Sequence, residues 1–389
     1  VGIDVAKDKH DCCVLGPAGE ILRDSFSFAN TRQGFEALRT AIQEAVGSQD
    51  NLQIKAGLEA TGHYSENLVA FLRTSGVEPV VFNPLRVKLF RQALSLRKTK
   101  TDKVDARCIA SLLMSDDSNP VAQSYQIQEL KSLTRHRSRL VSSRAKAKIH
   151  LARLVDILFP ELPSVCWSLS QKSILSLLKE LPGATRIAGC RIDRLPNLLS
   201  ENSHGKYKQG KAEEIKVLAR QSVGRGSEAL SFELIQVIES IQFFERQIHV
   251  LDKQLAGFVK ALGTPLLSIP GIGCTLAAII LAEIGDINRF ASPDKLLAFA
   301  GLDPSTYQSG RFVAGKTPMV KHGSTYLRWA LMQAARLVAM RCPDFRQFQA
   351  KKLAQGKHHF VVLGHVAKKL VRVIFHILTA NEPFVSQAA

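Results

Sequence analysis

The sequence predicts an α/β domain followed by a mostly helical remainder, and three observations carry that prediction. Strand and helix signals alternate over residues 1–115. Beyond them, apolar residues recur every seven positions in two long segments. The last third combines short helical patterns with glycine-bearing turns. At 389 residues the chain exceeds one ordinary core. The changes of character place domains at residues 1–118, 119–262 and 263–389.

In the first part, VGIDVA, HDCCVLG and ILRDSFSF read as three strands joined by short turns, with Gly16-Pro17 marking one turn. NTRQGFEALRTAIQEAV carries Phe35, Leu38 and Ile42 at helical spacing. LQIKAGLEA is a strand, HYSENLVAFLRTSG a helix stopped by Gly76, and VEPVVFN a further strand. From Pro84 to Met114 the pattern is helical, interrupted at SLRKTKT. Three strands, helix, strand, helix, strand, helix is the order of a ribonuclease-H-like fold, a mixed sheet with helices on its faces.

In the middle part, Leu133, Leu140, Ala147 and Leu154 repeat every seven residues. Leu234, Ile241, Ile248 and Leu255 form one seam of a second segment, and Val237, Phe244, Leu251 and Phe258 the other. Heptads sustained in this way predict a coiled coil, closed within the chain or with another protomer. Between the segments, SENSHGKYKQGK reads as a mobile loop. The third part opens on LLSIPGIG and runs through short helices to KLVRVIFHILTA.

Composition narrows the partners. Hydrophobic residues at 46 % and charged residues at 22 % describe a globular chain, not a disordered one. Lys plus Arg outnumber Asp plus Glu by 52 to 34, a net charge of +18 that favours a polyanion, since each phosphate contact releases counterions. The longest apolar run, LAAIILAEIG, is broken by Glu283 and is too short to span a bilayer. Neither a signal peptide nor an initiating Met opens the chain, which suggests that a few residues precede it. Seven cysteines, none in a C-x-x-C pair, read as reduced core residues of a cytoplasmic protein without a zinc site.

The chemistry concentrates in three places. The first is KTKTDKVDA, residues 98–106, where Asp102 and Asp105 follow a run of lysines. With Asp102 as N-cap, Asp105 falls at the third helical position, a capping box that needs no function. The same spacing puts both carboxylates on one helix face. Asp4, in the middle of the first strand, and Glu59, at the end of the fourth, add two more acids. Singly, Asp4 reads as a turn residue and Glu59 as a helix-start acid. In a ribonuclease-H-like sheet these two strands are neighbours and a late helix crosses their ends, so all four acids can converge. Packed carboxylates repel unless a divalent cation neutralises them. Oxygen-only ligation suits Mg²⁺ or Mn²⁺, and two such ions clamp in-line phosphodiester cleavage. Arg86, Lys88, Arg91, Arg97, Lys98, Lys100 and Lys103 lie close by in the chain and suit a nucleic-acid backbone. So do Arg135, Arg137, Arg139, Arg144, Lys146 and Lys148, on a helix with no acid from Lys131 to Arg153.

The second place is IPGIG, residues 269–273. Gly271 and Gly273 before a helix read either as a helix-hairpin-helix element that grips a DNA backbone through amides or as a tight apolar turn. The third is residues 301–331, with Ser305, Ser309 and Ser324, the cations Arg311, Lys316, Lys321 and Arg328, and His322 as a weak candidate base. Ser beside Gly is ordinarily a turn residue, and Ser324 suits a helix cap.

VGIDVAKDKH, GLEATGHY, KTDKVDARCIA, LLSIPGIG and the block FAGLDPSTYQSG…GKTPMVKHGSTYLRWAL together resemble the DEDD-type transposases of insertion-sequence family one-hundred-and-ten. The likeness runs in order over nearly the whole chain, with the centre matching only in length and helical character. It implies a RuvC-like catalytic domain, a coiled-coil middle and a C-terminal transposase domain. It implies that Asp4, Glu59, Asp102 and Asp105 are a metal-binding tetrad, and that a C-terminal serine is the nucleophile. Position in the motif assigns this role to Ser309, with Ser305 in reserve, and lets Arg311, Lys316 and Lys321 steady developing charge. The resemblance also implies donor and target DNA, a structured non-coding bridge RNA, and dimers that pair into tetramers in which one subunit's serine meets another's tetrad. The basic helix would then help hold the RNA. Three other readings compete. One is a junction-resolving endonuclease that uses water. Another is an actin-like sugar kinase, whose Gly-Thr phosphate hairpin is replaced here by Ala6-Lys7-Asp8. The last is a non-catalytic nucleic-acid scaffold.

Overall fold

The computed structural model describes residues 1–47, 53–60, 62–94, 101–115, 125–200, 207, 209–305, 308–309, 312–313 and 318–386. The chain forms two compact units, Val1–Gln123 and Ser124–Ala389.

The first unit is built on a five-stranded mixed sheet in the order β3-β2-β1-β4-β5. Its strands are β1 Gly2–Val5, β2 Lys9–Leu15, β3 Ile21–Ala29, β4 Ala56–Glu59 and β5 Pro79–Phe82. β1, β2 and β3 pair antiparallel, and β1, β4 and β5 pair parallel. The first and fourth strands are therefore neighbours, as the strand–helix order predicts. Helices α1 Arg32–Val46 and α2 Glu66–Thr74 bury Phe35, Leu38, Ile42, Leu68 and Leu72 with Ile3, Val5, Cys12 and Leu58 in one core. A second cluster joins Phe82 to Val87 of α3 Pro84–Leu94 and to Ile109, Leu112 and Leu113 of α4 Asp102–Met114. Alternation along β1 assigns the two faces: Ile3 and Val5 join the first core, so Gly2 and Asp4 face the other way.

α4 lies directly against β1. A Cβ on Gly2 would stand 2.2 Å from the backbone N of Ala110 and 2.3 Å from the carbonyl oxygen of Ala106. Only glycine admits that approach. The SLRKTK segment expected to interrupt the helical stretch lies outside the described residues. The cap differs from the sequence expectation. Thr101, in extended backbone, is the N-cap of α4 and its hydroxyl accepts from Val104 N. Asp102 is thus the first helical residue, and the capping-box reading of Asp102 and Asp105 fails because a hydroxyl one residue earlier already satisfies the helix end.

In the second unit, α5 Tyr125–Leu158 and α10 Glu228–Ala261 are long helices that pack along each other. Arg137 reaches Asp252 at 2.7 Å, Lys148 reaches Glu245 at 3.5 Å and Arg153 reaches Glu233 at 3.0 Å. Partners descend α10 as they ascend α5, so the pair is antiparallel. Leu234, Ile241, Ile248 and Leu255, the seam read from the heptads, are all buried. One end of the pair shares a core with α6 Lys172–Glu180, α7 Ala184–Gly189, α8 Arg194–Ser200 and α9 Gln209–Gln221. Most of the polar loop expected before α9 lies outside the described residues.

The other end shares a second core with α11 Cys274–Ile284, α12 Pro293–Phe299, α13 Thr325–Arg341, α14 Pro343–Ala354 and α15 His359–Ala380. A two-stranded hairpin, β6 Gln308–Ser309 and β7 Phe312–Val313, projects between α12 and α13 in the chain. All seven cysteines are free. Among the described residues no helix is long and apolar enough to cross a membrane.

Candidate active site

The β1–β2 pairing sets Asp4 opposite Asp11, and the β1–β4 pairing sets Ile3 opposite Leu58. Carried one residue further, that parallel register puts Glu59 beside Asp4. Gly57, two residues before Glu59, faces α4, since a Cβ there would meet Leu113. Asp11, Asp4 and Glu59 therefore form one row across three adjacent strands, on the side covered by α4. Asp105 of that helix is buried, 6 % exposed, while Asp102 at its tip is open to solvent.

The electrostatics record this crowding. Burial pushes the Asp4 carboxyl up to about 6, and the neighbouring charges of Asp105, Glu59, Asp102 and Asp11 push in the same direction. Arg91 and Lys9 stand against these acids. Arg91 of α3 donates to Asp105 Oδ1 at 2.6 Å, and this bond holds the guanidinium above its ordinary pKa. Lys9 lies 3.6 Å from Asp11 and 3.8 Å from Asp102. The donor set, carboxylate oxygens only, fits Mg²⁺ or Mn²⁺. Among the described residues no three acidic, His or Cys side chains stand close enough to share one ion.

Asp11 is the member that sequence reasoning missed. Its hairpin partner was legible, because a short turn after Val5 forces some residue of HDCC opposite Asp4. Asp11 is 4 % exposed and accepts from Ser27 Oγ at 2.6 Å. Two strands thus share its negative charge, and it is partly satisfied without any external ligand.

The serine-bearing hairpin is rooted in the second unit. Its base is clasped by Ser305 N–H to Pro318 O at 2.8 Å, Val320 N–H to Asp303 O at 3.0 Å and a bridge between Pro304 and Met319. Ser309 pairs with Phe312 across the two short strands. Ser324 is committed elsewhere. It caps α13, accepting from Leu327 N at 3.1 Å, and donates to Glu283 Oε2 at 2.8 Å. Glu283, 1 % exposed, also takes two hydrogen bonds from Arg135, at 2.8 and 3.1 Å. Burial would raise its carboxyl, but Arg135 and Ser324 outweigh burial and hold it below the ordinary value. The root of the hairpin is thereby tied to α5.

The remaining basic candidates divide. Arg135 and Arg137 are engaged by Glu283 and Asp252, and Arg144 and Lys148 share Glu245. The stretch from Lys131 to Arg153, which carries no acid of its own, finds acids on α10 and α11. Arg139 and Lys146 are exposed, as are Lys103 and Lys321. Lys321 holds a left-handed backbone, φ 58°, with its carbonyl accepting from Arg328. Arg97, Lys98, Lys100, Arg311 and Lys316 lie outside the described residues.

The IPGIG turn packs inward. Ile269 and Ile272 are buried, and a Cβ on Gly271, whose φ is 108°, would stand 2.8 Å from the Leu337 backbone. Gly271 is required by close approach to α13. Gly273 is the N-cap of α11 and brings no side-chain hydrogen bond to that helix end.

Comparison with known proteins agrees with the order of these parts. Residues 1–160 match a DEDD transposase family of the IS110 type, and residues 263–351 match the Transposase IS116/IS110/IS902 family. An insertion element IS116 protein of 44.8 kDa from Streptomyces clavuligerus is 25 % identical over 99 % of this chain and 95 % of its own length. A pilin gene-inverting protein of Moraxella bovis is 25 % identical over 99 % of this chain and 97 % of its own. The transposase for insertion sequence element IS1111A of Coxiella burnetii is 23 % identical over 99 % of this chain and 90 % of its own.

Proposed function

Since the chain belongs to the IS116/IS110/IS902 family of insertion-sequence transposases, enzymes that recombine DNA, we propose that Asp4, Glu59, Asp102 and Asp105 form its metal-binding tetrad and that Ser309 is its nucleophile. The row of carboxylates under α4 is the observation that carries the first half of this reading. Mg²⁺ or Mn²⁺ held there would polarise a scissile phosphate and offset the charge that develops on it.

The chain's own groups do the rest. Ser309 Oγ attacks phosphorus and loses its proton, a phosphoserine bond forms, and the departing strand leaves with a free 3′-hydroxyl. The reverse attack by another 3′-hydroxyl rejoins DNA without net hydrolysis. The Moraxella relative's name, a gene-inverting protein, supports such conservative exchange. The clasped hairpin base supports Ser309, because it ties the chain on either side of the serine motif to the second unit. Ser324 is a poor alternative, its hydroxyl being taken by Leu327 and Glu283. Arg311, Lys316 and Lys321 steady the charge that develops.

A structured bridge RNA is the further partner this reading takes from the family resemblance. Arg139, Lys146 and Lys103, exposed cations, suit contacts to a nucleic-acid backbone. The same resemblance supports a dimer, and a tetramer in the synaptic complex, with the serine supplied across subunits.

Ser309→Ala is expected to eliminate a protein–DNA adduct that survives a denaturing gel. Persistence of the adduct with Ser309→Ala would move the role to Ser305. Cleavage by the wild-type chain without any adduct would favour a water-using endonuclease.

A second expected result concerns pH. Asp4 is raised from 3.8 to about 6, so the folded chain binds this proton more tightly than the unfolded chain. Without divalent ions its contribution to stability is present below 3.8 and is lost as pH rises to about 6. A divalent cation reverses that trend, since it favours the ionised carboxylate. Thermal melts should therefore show a Mg²⁺-dependent rise in Tm at pH 7.5 that shrinks as pH falls below about 6. A rise of equal size at pH 5 would contradict the assignment.

A further inference from the structure

The corner at which α14 turns into α15 takes no part in the reading above. From Phe345 to Asn381 the chain carries seven lysines and arginines and no acid. Lys351 and Lys352 close α14, and Gly356, at φ 72°, turns the chain into Lys357, His358 and His359. The cations converge across the two helices. Lys352 Nζ lies 5.6 Å and Lys369 Nζ 5.0 Å from the same Phe348 ring. His365 is held below its ordinary pKa by burial and then by Lys357, Lys352 and Lys368.

Nearby acids are spent elsewhere. Asp294 pairs with Arg372, and Asp344 accepts from Ser386. Among the described residues no carboxylate pairs with Lys351, Lys352, Lys357, Lys368 or Lys369. α15 also starts with no acid in its first turn, so the positive end of its dipole adds to the cluster. Phe360, 69 % exposed, and Val361, 53 % exposed, border it.

Like charges gathered in this way repel, and among the described residues no carboxylate offsets them. On α5, by contrast, Arg135, Arg137, Arg144 and Arg153 are matched by acids on α10 and α11. A solvated face normally mixes signs. We propose that the α14–α15 corner is a separate nucleic-acid backbone site, with Lys352, Lys357 and Lys368 contacting phosphates and Phe360 placed to stack on an unpaired base. Its ligand chemistry is a phosphodiester chain, which DNA or RNA supplies. The exposed ring favours a single-stranded stretch, since stacking needs a free base face.

The test uses the full chain, with fluorescence anisotropy on labelled duplex DNA, single-stranded DNA and a hairpin RNA across a salt series. Lys352→Gln/Lys357→Gln/Lys368→Gln is expected to weaken binding of at least one of these by about tenfold or more at ~0.1 M salt, and to make the log–log salt slope shallower by about two to three. The responding probe identifies the source of the phosphates. Phe360→Ala is expected to weaken single strands and leave duplex binding unchanged. A control with the same charge change, Lys172→Gln/Arg220→Gln/Lys253→Gln, uses exposed residues of α6, α9 and α10. If the control weakens binding as much, net charge is responsible and the site is refuted. An unchanged salt slope in the corner variant refutes it too. Should the triple variant unfold by circular dichroism, Lys357→Gln and Lys368→Gln singly are each expected to reduce the slope by about one; no reduction in either overturns the proposal.

Discussion

Asp4→Asn and Asp105→Asn should each abolish strand transfer while leaving nucleic-acid binding measurable. Losing one ligand from a cation clamp removes several kcal/mol of transition-state stabilisation, and about 4 kcal/mol corresponds to roughly a thousandfold in rate. The two variants should part company on stability. Asp4 is pushed up to about 6 by burial and by four neighbouring acids, so removing its charge relieves repulsion. Without divalent ions at neutral pH, Asp4→Asn is expected to melt at a higher temperature than the wild type. Asp105 is 6 % exposed and bonds Arg91 at 2.6 Å, so Asp105→Asn loses a charge-assisted hydrogen bond and is expected to melt lower, by about 1–3 kcal/mol of stability. A group kept for structure would not gain stability on losing activity. If Asp4→Asn retains strand transfer, or melts below the wild type in the absence of divalent ions, the tetrad reading loses its central member.

The second large effect comes from a residue with no chemistry. Gly2→Ala adds one methyl group where 2.2 Å separates its position from the α4 backbone. Backbone cannot rotate aside as a side chain can, so α4 must move off β1. That shift carries Asp102 and Asp105 with it, away from Asp4 and Glu59. A displacement of about 1 Å at reacting groups costs on the order of a hundredfold in rate, and overpacking of this kind costs about 1–3 kcal/mol. Gly57→Ala is the internal comparison. Its new methyl would meet Phe82 and Leu113 side chains, at 2.9 and 3.4 Å, which can yield. Gly2→Ala should therefore be the more damaging by both thermal melt and strand-transfer assay. Equal, small effects would show that α4 is not held against β1 as described.

The alternation of strand and helix signals over the first 115 residues predicts a mixed sheet with the first and fourth strands adjacent, and the sheet order agrees. That was legible because periodicity is local: a period of two or of 3.6 is set by a residue's own neighbours. The buried seam Leu234, Ile241, Ile248 and Leu255 was legible for the same reason. The start of α4 was misplaced by one residue, since Thr101 and Asp102 are both good caps and only backbone geometry selects between them.

What the sequence by itself determined is the set of parts: a basic chain, a row of strands, two long amphipathic helices, and acids at Asp4, Glu59, Asp102 and Asp105. Tertiary structure decided who meets whom. Register, not composition, put Asp11 beside Asp4, and an antiparallel helix pair gave Arg137 and Lys148 of α5 their acids on α10. Close approach to the α13 backbone requires glycine at Gly271. Each of these is a contact between residues distant in sequence. No local propensity encodes such a contact, and it exists only once the whole core has closed.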